Sequence, residues 1–143
     1  MPETRLWRPR ALGALRIATA LLYMQHGLQK LFMWPPSVHH PEPAPLLSLA
    51  GVAGILELFG GLAILLRMLV RPVAFALAGE MAVAYWMFHF MGGLSMPDGW
   101  MPVVNGGDLA IEFCFVFLYL SVAGPGAWSL GGHRRSEQRT EMS

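Results

Sequence analysis

The chain has one cysteine and few charged residues, and both shortages narrow what it can be. Cys114 is the only cysteine among 143 residues, so neither an internal disulfide nor a CxxC motif can form. Thiol–disulfide exchange within one chain is thereby excluded. Charged residues make up only 13% of the sequence, about half of the roughly 25% typical of a soluble domain. A soluble domain is therefore not expected, and nothing in the net charge of +1 indicates nucleic acid as a partner.

Hydrophobic residues account for 55% of the sequence and are concentrated in four long runs. A membrane-spanning helix needs about 20 mostly apolar residues to cross about 30 Å of hydrocarbon. The four runs lie at 11–33, 48–66, 72–91 and 105–124. Together with short connections they use up the chain. We therefore predict an all-α protein, an integral membrane antiparallel four-helix bundle whose first partner is the lipid bilayer.

The basic residues are distributed unevenly between the connections. Nine arginines lie before or at the start of the first run, between the second and third runs, or after the fourth run: Arg5, Arg8, Arg10, Arg16, Arg67, Arg71, Arg134, Arg135 and Arg139. The other two connections contain no arginine, and Lys30 is the only basic residue near them. Positively charged connections stay in the cytoplasm. We therefore expect a multi-pass protein of the bacterial inner (plasma) membrane with both termini cytoplasmic.

The two ends of the chain are polar and are predicted to lie outside the bundle. Residues 1–10 would form a cytoplasmic N-terminal segment, residues 11–130 the membrane domain, and residues 131–143 a disordered cytoplasmic tail. A cleavable signal peptide is the alternative for the N terminus, since residues 18–20 read Ala-Thr-Ala. Arg16 argues against it, because it interrupts an apolar stretch that is already short.

Polar side chains occur in all four predicted spans. The first span carries amide, imidazole and ammonium groups and the other three carry acids: Gln25, His26, Gln29 and Lys30, then Glu57, Glu80, Asp108 and Glu112. An ionised group near the bilayer centre costs about 2.5–3.5 kcal/mol. At about 1.5 Å per residue, these groups fall in the outer half of the membrane. We predict that the acids and the imidazole meet in one internal chamber that opens toward the periplasm.

Several of these residues also have a purely structural interpretation. Asp108 can cap a helix together with Asn105, and Lys30 can extend to the outer headgroups. Gln29 can form a hydrogen bond between helices, and His26 with Glu57 can form a structural ion pair. These alternatives remain open at the level of sequence.

The acids outnumber the cations of the outer layer, and this imbalance indicates a chemistry. Some of the carboxyl groups are expected to be protonated or solvated. Groups that exchange protons beside an apolar pocket suit a quinone head, which takes up protons together with electrons. They suit a proton-coupled transporter equally well.

Three motifs, in this order and spacing, resemble the DoxX family of small four-helix bacterial membrane proteins. They are Gln25-His26-Gly27-Leu28-Gln29-Lys30-Leu31-Phe32, then Leu56-Glu57-Leu58-Phe59-Gly60-Gly61, then Asn105-Gly106-Gly107-Asp108-Leu109-Ala110 with Gly124-Pro125-Gly126-Ala127-Trp128-Ser129-Leu130. The resemblance covers residues 11–131. Two positions depart from the family pattern, because Asp108 stands where Glu is usual and Gly131 where Asp is usual.

The resemblance implies a link to quinone-dependent oxidoreductases, notably the membrane subunit of thiosulfate:quinone oxidoreductase. Under this hypothesis Gln29, Lys30 and His26 would bind the quinone oxygens, while Glu57 and Glu112 would relay protons. The assignment makes His26, Glu57 and Glu112 catalytic and places substrate-binding residues at Gln29, Lys30, Glu80 and Asp108. Electrons would come from a soluble or membrane redox partner protein, because the chain has no flavin, iron–sulfur or metal motif.

Three other hypotheses remain. A small proton-linked transporter would use Glu80 to extend the path inward. A non-catalytic membrane scaffold would anchor a redox partner, and the small-residue helix faces would also suit a homo-oligomer. A haem held by His26 and His89 is the fourth hypothesis, and the different depths of the two histidines make it the weakest.

Overall fold

The computed structural model describes residues 3–36 and 42–128, and all regular secondary structure within those ranges is helical. The helices, numbered here in chain order, are α1 (Glu3–Phe32), α2 (Leu49–Leu65), α3 (Val70–Gly93), α4 (Pro102–Asn105) and α5 (Asp108–Ala123). The prediction of an all-α protein is confirmed. The predicted tail at 131–143 lies outside the described residues.

Helix α1 begins eight residues before the predicted start of the first span. Residues 3–10, expected to be a separate polar segment, continue the helix even though Pro9 lies within it. The backbone of Pro9 is held by the segment that follows α5, because its carbonyl accepts a hydrogen bond of 2.7 Å from the backbone N–H of Ala127. The guanidinium of Arg10 also lies 5.5 Å from the centre of the Trp7 ring, one turn earlier.

The helices pack mainly in two pairs. Helix α3 lies along α5, and α1 lies along α2. The buried apolar core joins the pairs and consists of Ala20, Tyr23, Ile64, Val70, Ala74, Leu77, Ala78, Met81, Ala110, Phe113, Phe117 and Leu120. Helices α1 and α2 approach closely at Gly27. A Cβ atom there would lie 2.6 Å from the backbone N of Leu58 and 2.7 Å from the carbonyl oxygen of Gly54, so only glycine fits.

The outward faces of the helices are strongly apolar. More than half of the surface of several large side chains is exposed, among them Trp7, Phe59, Phe75, Trp86, Phe115 and Val122. Within the described residues, α3 is the one helix long and apolar enough to cross a membrane, and α2 is apolar but shorter.

The side chain of Arg16 connects α1 to the end of α2 and to the segment 125–128. This side chain is only 1% exposed, and all five N–H groups of its guanidinium donate to backbone carbonyls. Two bonds, of 2.9 and 2.7 Å, reach Ile64 and Leu65 at the end of α2. Three bonds, of 2.8 to 3.4 Å, reach carbonyls of the segment 125–128. The partial negative charge at the C-terminal end of α2 compensates the buried cation.

Candidate functional site

The site begins with an irregular turn in α2. Residues Leu56–Gly60 have π-helical geometry, and Glu57 lies within this turn. A π-turn adds a residue to the helical repeat and redirects the side chains on either side of it, and such turns are frequent at functional sites. A second π-turn, Tyr85–Phe90, lies in α3. The first of these turns, packed against Gly27, carries the acid of α2 in the interior.

Lys30 and Glu57 form the central ion pair of the site. The Nζ atom of Lys30 lies 2.5 Å from Oε1 of Glu57. Glu57 is only 2% exposed, whereas about a third of the Lys30 side chain, 35%, remains accessible. The structure thus places Glu57 in the interior, as the small residues on its helix face predicted. It also pairs the ammonium of Lys30 with the carboxylate of Glu57, whereas the structural interpretation of the sequence had Lys30 extend to the outer headgroups.

Glu80 is held by a tyrosine that the sequence did not single out as a site residue. The hydroxyl of Tyr23 donates a hydrogen bond of 2.9 Å to Oε2 of Glu80. Tyr23 is itself fixed between the rings of Phe113 and Phe117, whose centres lie 5.2 and 4.7 Å from its own. The sequence feature that could have identified Tyr23 is its position, since it shares one stripe of α1 with His26 and Lys30.

These four residues, Tyr23, Lys30, Glu57 and Glu80, are called the carboxyl cluster below. Among the described residues, Oε2 of Glu57 and Oε1 of Glu80 are buried without a hydrogen-bond partner. The cluster therefore brings polar groups of α1, α2 and α3 together, and each carboxyl group keeps one oxygen free.

His26 lies between Tyr23 and Lys30 on the same stretch of α1 and lines a cleft against α5. The cleft has a volume of about 180 Å³, is open on one side, and is lined by Leu22, Gln25, His26, Gln29, Pro35, Leu109 and Phe113. The imidazole packs edge-on against Phe113, with ring centres 6.0 Å apart. The amide of Gln29 donates to the carbonyl of Pro35 at 3.2 Å. The cleft is thus mainly apolar with an imidazole and two amides.

Asp108 and Glu112 do not join this assembly. Both side chains are exposed on the outer face of α5, so the prediction that Glu112 shares an internal chamber with Glu57 and His26 is wrong. The neighbouring residue Phe113 takes the interior position instead, and consecutive helical residues point about 100° apart. Asp108 accepts a hydrogen bond of 3.0 Å from the backbone N–H of Leu109.

Asn105 organises the connection before α5 in a way that differs from the prediction. It ends α4 rather than capping α5, and Gly106 follows it with φ +69°. Its side-chain oxygen accepts from the backbone of Gly107 at 2.9 Å, and its amide donates to the carbonyl of Gly99 at 2.9 Å. His89 contacts the Asn105 carbonyl through Nδ1 at 3.1 Å. His89 is therefore engaged in this connection.

Within residues 3–36 and 42–128, no three His, Cys, Asp or Glu side chains converge as a metal site would require. The polar groups of the site are an ammonium, a phenol, two carboxyls and an imidazole, all of which can bind and pass protons, together with two amides, which form hydrogen bonds.

The described residues form a helical fold with strongly apolar outward faces, and sequence comparison gives the family. The chain belongs to the DoxX family, whose model matches residues 11–90; this family is membrane-associated. A protein of Haemophilus influenzae described as an uncharacterized protein is 35% identical over 130 residues, covering 91% of this chain and 95% of the relative. No solved structure shows a significant match.

Proposed function

We propose that the protein is a quinone-interacting subunit of a membrane oxidoreductase, with a proton-relaying site inside the helices. One observation carries the proposal. A single stretch of α1 presents His26 to an open cleft and presents Tyr23 and Lys30, one turn to either side, to buried carboxyl groups. A ligand in the cleft and a proton path in the interior would thus be joined through one helix.

The dimensions of the cleft suit a ring rather than a large ligand. Its volume of about 180 Å³ is below the roughly 300–1,000 Å³ of sites for drug-sized molecules. A cavity of about 150 Å³ is enough for benzene. A quinone head could therefore sit between Phe113 and the polar edge formed by His26 and Gln29, while its long apolar tail leaves through the open side.

The chemistry of quinone reduction explains why acids would lie nearby. A quinone that accepts two electrons takes up two protons, one on each oxygen, and becomes a quinol. In this proposal His26 would hydrogen-bond one oxygen and pass on a proton, and the pair of Lys30 and Glu57 would follow it in the path. The electrons would come from a soluble or membrane redox partner protein. Glu112 and Asp108 have no role in this scheme, because they are exposed on the far face of α5.

We further propose that the chain crosses the bacterial inner membrane four times as an antiparallel bundle with both termini in the cytoplasm. The outward apolar side chains and the distribution of the arginines support this topology. Helix α1, about 45 Å long at 1.5 Å per residue, is long enough to span with its basic end outside the hydrocarbon. Single cysteines at Ser95 and Met68, introduced into a Cys114→Ser background, would test it. Only the first should react with an impermeant thiol reagent from outside intact spheroplasts.

Quinone binding is the direct test of the cleft. Purified protein would be titrated with a short-chain quinone while tryptophan fluorescence is recorded, since Trp34 adjoins Pro35 at the cleft. His26→Ala and Gln29→Leu should each weaken binding about 5- to 100-fold, which corresponds to about 1–3 kcal/mol for a lost buried hydrogen bond. Asp98→Asn, in an exposed turn, is the matched control. Equal affinity in all four proteins would contradict the assignment.

The carboxyl cluster also supports a second candidate, a proton-linked transporter, because its two unpartnered oxygens lie inside the protein. Proteoliposomes with an imposed pH gradient distinguish the two. Solute uptake that needs Glu57, together with no quinone affinity, would favour the transporter. If neither quinone binding nor uptake is found and the Glu57→Gln protein behaves as wild type in cells, a scaffold or a homo-oligomeric anchor would remain.

A further inference from the structure

We propose that Glu57 and Glu80 share one exchangeable proton, held between Oε2 of Glu57 and Oε1 of Glu80 either directly or through one water molecule. Lys30 and Tyr23 are then positioning residues that fix the other oxygen of each acid. The use of this proton in quinone chemistry rests on the proposed function. Its existence does not, and it can be tested without any quinone.

Within the described residues, each acid of the cluster has one carboxyl oxygen without a hydrogen-bond donor. Lys30 occupies Oε1 of Glu57, and Tyr23 donates to Oε2 of Glu80. The remaining oxygens are the two that are buried and unpartnered among the described residues. Glu57 is 2% exposed, so bulk water does not satisfy its free oxygen. A buried acceptor without a donor is unfavourable, and more so when it is charged. One proton on Glu80 that points to Glu57 would satisfy both oxygens.

The net charge of the cluster also favours one bound proton. Two ionised carboxylates and one ammonium would leave the cluster with a net charge of −1 in an apolar interior. The titratable groups bonded within the cluster come from α1 (Tyr23, Lys30), α2 (Glu57) and α3 (Glu80), and His26, one turn from Lys30 on α1, lines the cleft. Helix α5 places the rings of Phe113 and Phe117 against Tyr23. Arg16 donates all of its hydrogen bonds elsewhere. One proton makes the cluster neutral, as expected for two acids that cannot both ionise.

The shared proton would extend the path that starts at His26. Lys30 and Tyr23 are seven residues apart on α1, about 10 Å along its axis, and each holds one acid. Transfer breaks the O–H bond on Glu80 and forms one on Glu57, with no change in electron count and no further reactant. The pair would thus store a proton one helical turn beyond the cleft and release it as the charge near Lys30 changes.

Infrared spectroscopy of the purified protein tests the proposal. A protonated carboxylic acid has a carbonyl stretch, shifted in heavy water, that a carboxylate lacks. At neutral pH we expect the intensity of one such group per chain. It should disappear in Glu80→Gln and also in Glu57→Gln, where the unpaired Lys30 would draw Glu80 into its ionised form. It should stay in Glu112→Gln, which removes an exposed acid. Tyr23→Phe should keep the band and shift its frequency, an effect that a merely space-filling tyrosine would not have.

Lys30→Gln gives the sharpest result and does not depend on the folding of the acid variants. Without the cation, the cluster should bind a second proton, and the band should about double in intensity. Absence of the band in the wild type, its persistence in Glu57→Gln, or an unchanged band in Lys30→Gln would each overturn the proposal. Unchanged quinone affinity in His26→Ala, with the expected band present, would contradict the proposed function and leave the shared proton standing. Weaker quinone affinity in His26→Ala, with no band in the wild type, would overturn the shared proton alone.

Discussion

Replacing Arg16 tests the end of the fold at which α1, α2 and the segment 125–128 meet. Arginine uses all five N–H groups there, and lysine offers only three. Arg16→Lys therefore leaves at least two carbonyls without their donor. Hydrogen bonds from charged donors contribute about 1.5–3 kcal/mol each, so the variant should lose about 3 kcal/mol or more. Arg16→Met loses all five bonds. Since total stabilities are about 5–15 kcal/mol, that variant should hardly accumulate as folded protein.

The measurement is unfolding in mixed micelles with increasing denaturing detergent, followed by tryptophan fluorescence. Arg10→Lys is the matched control, because Arg10 is exposed and its contact with the Trp7 ring can be made by an ammonium as well. The control should unfold with the wild type, and Arg16→Lys well before it. Coincident curves for Arg10→Lys, Arg16→Lys and the wild type would refute the role of the five hydrogen bonds.

Three further substitutions use the same unfolding assay. Gly27→Ala should cost several kcal/mol, because its Cβ would lie 2.6 Å from the backbone of Leu58. The matched Gly79→Ala, where no atom lies within 4 Å, should stabilise α3 by about 0.5–1 kcal/mol; equal effects would count against the close approach of α1 and α2. Asn105→Ala should lose about 1–3 kcal/mol, since its side chain joins two backbone groups before α5, and Asn105→Ser should recover part of it. Glu112→Gln should leave both stability and quinone affinity unchanged, and a tenfold weaker affinity would place this acid back in the site.

The existence of the helices followed from hydrophobic runs, and most of their bounds were close. The run 48–66 became Leu49–Leu65, and 72–91 became Val70–Gly93. The start of α1 could not be predicted in this way, because Pro9 and three arginines hide a helix that is fixed by the distant Ala127. Hydrophobicity reports only the parts of a helix that avoid water. It does not report parts that are held by backbone hydrogen bonds to another segment.

The structure agrees with the sequence prediction on the burial of Glu57 in α2 and disagrees with it on Glu112 in α5. The small residues Gly54 and Gly61 are buried on α2 as Glu57 is, and the polar groups of α1 recur at helical spacing. Apart from Asp108 and Glu112, helix α5 is apolar on every face, so its sequence pattern does not show whether Glu112 or Phe113 points inward. The sequence gives no signal for the π-turn at Leu56–Gly60, which lies against Gly27 of α1.

The contacts of Arg16 set an order on the assembly of the chain. A nascent chain that ends before Pro125 can offer this guanidinium only the two carbonyls at the end of α2, and the other three N–H groups gain their acceptors when the segment 125–128 has been synthesised. Helix α1 therefore completes its contacts only after α5 has been made. The two parts that must meet to complete this contact, Arg16 and the segment 125–128, leave the ribosome more than a hundred residues apart.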